Sequence, residues 1–236
     1  MSYIFISDLH LDESRPDVTE AFFSFIKNVA NRAEGFYILG DLFEVWLGDD
    51  NNSVLNQNII SALKALSVPR FIMHGNRDFL IGKTFCQQTG FTLLPDPTRV
   101  LLFDRPVLLM HGDSLCTRDV EYIKLRNMLR TPAFQKDLLS KSLQERMVIA
   151  SDARHQSKEH TKQTKMDIMD VTHKEVITEM QKHEVQLLIH GHTHRPDTHY
   201  VHEVLGQRAV LGDWDTRGWF IELTEAGVNL ESFPIS

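Results

Sequence analysis

Five apolar segments of this sequence each end in a short polar motif. Apolar segments of strand length that alternate with amphipathic helical segments are typical of an α/β sheet, and such sheets bind ligands at the carboxyl ends of their strands. The pattern therefore predicts an α/β fold in which the five motifs meet at one edge. The motifs are Asp8-x-His10, Gly40-Asp41, Gly75-Asn76, His111-Gly112 and Gly191-His192-x-His194.

Apolar periodicity also divides the rest of the chain into expected elements. Helices are expected from Pro16, over Asn52–Leu66, from about Phe79 to Gln88, and over Val171–Lys182. Strands are expected at Tyr3–Ser7, Phe36–Leu39, Arg70–His74, Phe91–Leu94, Arg99–Phe103, Pro106–Met110 and Val185–His190. Three closing antiparallel strands are expected at Arg208–Leu211, Gly218–Leu223 and Val228–Phe233.

The last motif lies in the segment LIHGHTHRP, where His190, His192 and His194 occupy alternate positions. Side chains two residues apart at a strand end point the same way, and imidazole is the commonest metal ligand among side chains. A polar turn after a buried strand would give the same pattern. The other four motifs favour a metal site, because they supply matching ligands at other strand ends.

Seven side chains in the motifs can bind a metal: two carboxylates, four imidazoles and one amide oxygen. This set suits Mn²⁺, Fe²⁺ or Zn²⁺. It is too large for one catalytic ion, so we predict two ions about 3.5–4 Å apart, bridged by Asp41. The neighbouring glycines are expected to keep the rim open for a phosphate. The predicted ligands are Asp8, His10, Asp41, Asn76, His111, His192 and His194.

The composition argues against several classes of protein. A net charge of −7 disfavours a nucleic-acid binder, because such proteins neutralise phosphates with excess lysine and arginine. The two cysteines are far apart and fit a reduced cytosolic chain without disulfides. No apolar segment reaches the roughly 20 residues of a spanning helix, and the N-terminal segment does not resemble a signal peptide.

Residues 119–170 differ in composition from the rest of the chain. Residues 118–165 carry eleven lysines and arginines against six acids. We interpret the segment as a helical cap, either a basic, partly apolar lid over an anionic substrate or a solvated hairpin with its own core. Apolar positions spaced for one helix face include Leu138, Leu139, Leu143, Met147 and Val148.

The motif series DLH, GDLFE, GNRD, HGD and GHTH resembles that of the calcineurin-like metallophosphoesterases over residues 4–194. The resemblance implies a β-sandwich flanked by helices, with residues 1–236 as one domain and residues 119–170 as a helical cap subdomain. Longer segments, including YILGDLFEVWLGDD, HGNRDFLIGK and MHGDSLCT, are similar to a subfamily that hydrolyses UDP-2,3-diacylglucosamine in lipid A biosynthesis. That reaction cleaves the diphosphate at the α-phosphorus and gives UMP and 2,3-diacylglucosamine 1-phosphate (lipid X).

The same resemblance implies a cofactor, a site and a location. Two Mn²⁺ ions are expected, one held by Asp8, His10, Asp41 and His194 and the other by Asp41, Asn76, His111 and His192. A peripheral position on the cytoplasmic face of the bacterial inner membrane is expected, with no nucleic acid and no obligate protein partner. The expected catalytic residues are Asp41, Asn76, Arg77 and His192. The expected substrate contacts are Asn76, Arg77, Asp119, Ser157, Thr161, Thr164 and His192.

Two of these contacts depart from the family pattern. The family often has asparagine where Thr161 stands and lysine where Thr164 stands. Lys165, next to Thr164, is therefore the alternative source of a cation.

Arg77 can be interpreted from its chemistry alone. Many metallophosphoesterases have histidine here, which can protonate an alkoxide leaving group, whereas arginine does not give up a proton. A phosphate monoester leaves with a second pKa of about 6 and needs only charge neutralisation. Arg77 therefore favours diphosphate cleavage, and the alternative is a local ion pair with Asp78.

Two rival functions are kept: another nucleotide diphosphatase, for example one acting on ADP-ribose, and a non-catalytic scaffold on the same fold. Four residues near the motifs have structural interpretations. Phe43 and Trp46 are expected to pack in the core, and His74 and His190 to be supporting or core residues rather than ligands.

Overall fold

The structure, a computed structural model, describes residues 1–163, 168 and 170–235, with the backbone alone described over 158–163. The helices are α1 (Pro16–Asn28), α2 (Val54–Lys64), α3 (Lys83–Thr89), α4 (Val120–Leu129), α5 (Pro132–Leu139), α6 (Leu143–Gln163) and α7 (His173–Lys182). The strands are β1 (Tyr3–Ile6), β2 (Gly35–Ile38), β3 (Arg70–Met73), β4 (Thr92–Leu94), β5 (Thr98–Leu102), β6 (Arg105–Met110), β7 (Leu187–His190), β8 (Asp197–Val201), β9 (Gly206–Val210), β10 (Arg217–Thr224) and β11 (Gly227–Pro234).

Two β-sheets pack face to face. The first has the strand order β11-β10-β1-β2-β3-β4. Strands β1 to β4 are parallel to one another, β10 is antiparallel to β1, and β11 is antiparallel to β10. The second has the order β5-β6-β7-β9-β8, with β6, β7 and β9 parallel and both edge strands antiparallel. Buried side chains from both sheets, among them Phe5, Tyr37, Leu109 and Ile189, form one apolar cluster.

Helices cover the outer faces of both sheets. Phe22 of α1, Ile59 of α2 and Phe85 of α3 are buried in the cluster on the first sheet. Val176 and Met180 of α7 pack against the second sheet. This β-sandwich flanked by helices confirms the predicted fold class.

The direction of the strands explains why the polar motifs meet. Strands β1, β2 and β3 are parallel, and so are β6 and β7, so the loops at their carboxyl ends lie side by side. Leu9 N and His10 N donate to the carbonyl of Asp41 at 2.9 and 3.1 Å. Gly191 N donates to the carbonyl of His111 at 2.9 Å. Backbone hydrogen bonds therefore join neighbouring motif loops.

Three predictions about the elements were wrong in detail. Helix α3 begins at Lys83 rather than Phe79, because Asp49 accepts hydrogen bonds from Gly82 N (2.9 Å) and Phe85 N (3.0 Å) and fixes the helix start there. Strand β9, expected to be antiparallel, is antiparallel only to β8 and is parallel to β7. Strand β8 was missed because its sequence, DTHYV, is a polar edge strand without an apolar run.

Helices α4, α5 and α6, which we call the inserted helices, lie between β6 and α7 in the chain. The expected apolar face is only partly buried: Leu138 is buried, whereas Leu139, Met147 and Val148 are 44%, 59% and 57% exposed. The hairpin with its own core is therefore disfavoured. That residues 119–170 form a cap subdomain stays a prediction. Over the described residues, the chain has no helix whose length and apolarity would let it cross a membrane.

Candidate metal centre and active site

The predicted ligands leave the strand ends in an unusual backbone conformation. Asp8, His10, Asp41, His192 and His194 all have positive φ, between 52° and 68°. For residues other than glycine this left-handed region costs about 1–3 kcal/mol each and is found mainly where function requires it. Five of the seven predicted ligands thus share a strained backbone at the carboxyl edge of the sandwich.

Asp8, His10 and His194 form the first group of ligand atoms. His10 Nε2 and His194 Nε2 lie 3.3 Å apart, and His194 Nε2 lies 3.4 Å from Asp8 Oδ1. All three side chains offer an atom within 4.8 Å of the others. Two imidazoles and a carboxylate at this spacing can share one divalent cation.

Asn76, His111 and His192 form the second group. Asn76 Oδ1 lies 3.0 Å from both His111 Nε2 and His192 Nδ1. Asp41 lies between the groups, because its Oδ2 is 4.0 Å from His10 Nε2 and 3.8 Å from His111 Nε2. The structure thus brings all seven predicted ligands together, in two groups with a carboxylate between them.

The buried carboxylates fit a pair of cations. One oxygen of each is held by a backbone amide: His192 N donates to Asp8 Oδ2 and Arg77 N donates to Asp41 Oδ1, both at 2.8 Å. The other oxygen of Asp8 is buried without a hydrogen-bond donor among the described residues. A buried carboxylate oxygen facing imidazole nitrogens is a metal-ligand arrangement, and the oxygen and nitrogen donors suit a borderline divalent ion.

Three of the imidazoles are oriented through their other ring nitrogen. The Nδ1 atom of His10 lies 3.0 Å from Glu44 Oε2, that of His111 lies 2.9 Å from the carbonyl of Leu39, and that of His194 lies 3.5 Å from Asp213 Oδ2. Such contacts fix the ring and direct Nε2 toward a metal. His192 differs, since its Nδ1 is the atom that faces Asn76.

Two motif glycines are required by close approach. A Cβ at Gly75 would overlap the carboxylate of Asp41, and a Cβ at Gly191 would overlap Ser7 and Asp8. The expectation that the glycines keep the rim open was therefore incomplete: these two let the backbone pack directly against the ligands.

Burial and neighbouring charge shift the pKa values of the ligands in opposite directions. Burial raises the pKa of Asp41 to about 6. Burial also lowers the pKa of His194, but the nearby carboxylates of Asp213 and Asp8 outweigh it and raise that pKa to about 10. Burial and the charge of His111 lower the pKa of His192 to about 3. A cation held by His194 would therefore compete with a proton for this ring.

Several buried residues of the site were missed by the sequence reasoning. The carboxylate of Asp78 accepts from Leu42 N and Gly75 N at 2.9 and 2.8 Å, rather than serving as the ion-pair partner considered for Arg77. Asp113 Oδ2 accepts from Tyr122 Oη at 3.0 Å and lies 2.8 Å from Arg126 Nε. The sequence indicates these two carboxylates only as the final aspartate of the motifs GNRD and HGD.

An apolar cavity of about 160 Å³ lies beside the second ligand group, between the GDLFE loop and the inserted helices. Asn76, Arg77 and Ser157 line it, as do apolar side chains of all three inserted helices. The apolar lining includes Trp46, Phe79, Leu125, Leu129, Phe134, Leu138 and Ile149.

Of the other predicted substrate contacts, those that the structure describes are not among the residues that line the cavity. Asp119 is buried and caps α4, accepting from Tyr122 N at 3.0 Å. The side chain of Thr161, and Thr164 and Lys165 entirely, lie outside the described residues.

The structural interpretations near the motifs are confirmed. Phe43 and Trp46 are 1% and 2% exposed, and Trp46 also contributes to the cavity wall. His190 is fully buried, and His74 Nε2 lies 2.7 Å from the carbonyl of Ile81.

Comparisons with known proteins agree with this geometry. The sequence model of the family described as calcineurin-like phosphoesterase matches residues 1–196. A UDP-2,3-diacylglucosamine hydrolase of Pseudomonas paraeruginosa is 50% identical over 100% of both chains. One of Pseudomonas fluorescens is 49% identical, covering 98% of this chain and 94% of that one. A solved archaeal phosphodiesterase aligns with a TM-score of 0.53 at 11% identity over 99% of both chains, which shows the fold alone. The chain therefore belongs to the calcineurin-like phosphoesterase family and, within it, to the group of relatives named UDP-2,3-diacylglucosamine hydrolases.

Proposed function

We propose that the chain hydrolyses the diphosphate of UDP-2,3-diacylglucosamine at the α-phosphorus, giving UMP and 2,3-diacylglucosamine 1-phosphate, with two Mn²⁺ ions. The observation that carries the proposal is the position of the ligand cluster at the wall of an apolar cavity. Asn76 belongs to both, and Arg77 and Ser157 line the same cavity. A substrate that carries both a diphosphate and acyl chains needs a metal site directly beside an apolar cavity.

In this proposal Asp8, His10, Asp41 and His194 hold one ion and Asp41, Asn76, His111 and His192 the other. When bound, the pair supplies Lewis acidity and lowers the pKa of water. The chain itself fixes the ligands through backbone amides and through the Nδ1 contacts of the imidazoles. This preorganisation avoids moving dipoles during the reaction.

Asn76, Arg77 and His192 act on the phosphoryl oxygens in this scheme. Arg77 Nε is buried without a hydrogen-bond acceptor among the described residues, so the guanidinium has capacity for an anionic oxygen. It neutralises charge on the leaving phosphate, which needs no general acid because its second pKa is about 6. An alkyl phosphodiester, whose alkoxide leaving group does need one, is a poor substrate on this reasoning.

The inserted helices supply the apolar part of the proposed substrate site. Their apolar side chains in the cavity can cover the acyl chains, while their basic residues attract the anionic head group. We also propose that they hold the protein at the cytoplasmic face of the inner membrane. Leu125, Met128, Leu139, Met147 and Val148 on these helices are 44–59% exposed, and exposed apolar side chains among basic residues favour an anionic membrane surface.

The test is hydrolysis of UDP-2,3-diacylglucosamine by purified protein with Mn²⁺, compared with ADP-ribose and with the variant Asp41→Asn. We expect rapid release of UMP, far slower cleavage of ADP-ribose, and loss of both activity and bound manganese in the variant. Equal rates on ADP-ribose would favour the rival diphosphatase. A wild-type protein that binds no manganese in Mn²⁺-supplemented buffer would favour the scaffold.

A further inference from the structure

Glu44 bridges a predicted metal ligand and an inserted helix. Its Oε2 lies 3.0 Å from His10 Nδ1, and its Oε1 accepts a hydrogen bond from Arg154 Nη2 of α6 at 2.5 Å. The side chain of Glu44 is 15% exposed and that of Arg154 is 34% exposed, so the contact with Arg154 lies at the edge of the buried region. The proposed reaction uses Glu44, three residues after Asp41 in the GDLFE motif, to orient His10, but it assigns no role to the contact of Glu44 with α6.

The contact with His10 has a defined effect. His10 directs Nε2 toward the ligand cluster, and the 3.0 Å contact of Glu44 Oε2 with Nδ1 restricts the rotation of the ring. The Glu44 carboxylate therefore joins the ring of a predicted ligand to a guanidinium of α6, with one oxygen on each.

The contact with Arg154 matters because α6 is weakly held. Between residues 143 and 157 only Arg146 is buried. Arg146 donates to the carbonyl of Leu47 at 2.5 Å and pairs with Asp50. Arg154, two turns later, forms the second charged attachment of α6 to the core and also lines the apolar cavity, as do Ala153 and Ser157.

We propose that Glu44 is a positioning residue that couples occupancy of the metal centre to the docking of α6 over the active site. The inference rests on the proposed Mn²⁺ site. With His10 held by a metal, the carboxylate of Glu44 is fixed and presents its second oxygen to Arg154. By linkage, a docked α6 favours metal binding as much as metal binding favours the docked helix.

The experiment measures amide hydrogen exchange over residues 143–157 in the full chain, without and with saturating Mn²⁺, while bound manganese is counted in the same samples. In the wild-type protein we expect Mn²⁺ to slow exchange in this segment by about 5-fold or more. In Glu44→Gln we expect manganese at saturating concentration still to bind, but to slow amide exchange over residues 143–157 little or not at all. Arg154→Met, which leaves Glu44 and His10 intact, is expected to lose the slowing too and serves if Glu44→Gln does not fold.

Two control variants separate the bridge from other effects. Glu13→Gln removes an exposed negative charge three residues from His10 and should keep the slowing. Asp50→Asn removes the partner of Arg146, so it should speed exchange in α6 by the same factor with and without Mn²⁺.

The outcomes distinguish the two proposals. A wild-type protein that binds no manganese overturns the proposed metal site and, with it, this inference. A protein that binds manganese without slowing exchange in α6, or that shows equal slowing in Glu44→Gln, overturns the coupling alone. Loss of the manganese-dependent slowing in Asp50→Asn would also overturn it, because docking would then not depend on Glu44 specifically.

Discussion

Asp78 offers the sharpest test of how the ligand loops are held. It is fully buried, and its two oxygens accept hydrogen bonds from Leu42 N and Gly75 N at 2.9 and 2.8 Å. Those amides are adjacent to Asp41 and Asn76 in the chain. One carboxylate therefore joins the loops after β2 and β3 beneath the predicted ligands.

The substitution Asp78→Asn keeps the shape of the side chain and one acceptor oxygen. It replaces the other oxygen with an amide group that faces a backbone N–H, so one hydrogen bond to a charged acceptor is lost, worth about 1.5–3 kcal/mol. The backbone N–H that loses its acceptor is left buried without a hydrogen bond, which costs about 1–3 kcal/mol more. Local rearrangement of the loops recovers part of this cost. We expect the free energy of unfolding to fall by about 2–4 kcal/mol. Asp78→Ala removes both bonds and should cost more.

The assay is urea unfolding of metal-free protein, with the change in free energy taken from the midpoint and the slope. Asp152→Asn on the exposed face of α6 is the matched control and should change stability by less than about 0.5 kcal/mol. Manganese affinity should fall in Asp78→Asn and not in the control. A loss below about 1 kcal/mol with unchanged manganese affinity would refute the role assigned to this carboxylate.

Three further predictions concern separate parts of the molecule. Gly75→Ala should abolish manganese binding, measured by metal analysis, because the added methyl overlaps Asp41; full occupancy would show that the loops can move apart. Cys116 is 1% exposed and burial raises its pKa to about 12, whereas Cys86 is only half-buried, so Cys116 should react with a disulfide reagent far more slowly than Cys86; equal rates for the two thiols of the native protein would contradict this. Met147→Glu should lower the affinity for anionic vesicles, measured by co-sedimentation, about tenfold, because up to about 1–2 kcal/mol of binding free energy from burying the apolar side chain is lost. Tyr200→Glu on β8 should leave that affinity unchanged; an equal loss in both variants would place the membrane-binding surface elsewhere.

The sequence was sufficient to predict which residues converge, for a physical reason. Carboxyl ends of parallel strands share one edge, so ligands as distant as Asp8 and His194 could be assigned to one site from strand order alone. The alternation of a strand also predicted that His192 and His194 would leave β7 together. Their separation into two groups was implied by the family resemblance, and the left-handed backbone of both residues is indicated by no local pattern.

The supporting contacts could not be predicted, because each joins residues far apart in the chain. Glu44 meets Arg154 across 110 positions, and Asp78 reaches Leu42 across 36. Periodicity predicts which face of a helix is apolar, but it does not say what covers that face. Leu138 and Met147 were assigned to one face, yet the first is buried over the cavity and the second is exposed.

The central claim is hydrolysis of the diphosphate by attack at the α-phosphorus. The direct test is a single turnover of UDP-2,3-diacylglucosamine by the Mn²⁺-loaded protein in H₂¹⁸O, followed by mass spectrometry of both products. Attack of water at the α-phosphorus places the ¹⁸O label in UMP and not in 2,3-diacylglucosamine 1-phosphate. Label in the lipid product would contradict it, because the attack would then occur at the phosphorus that carries the sugar.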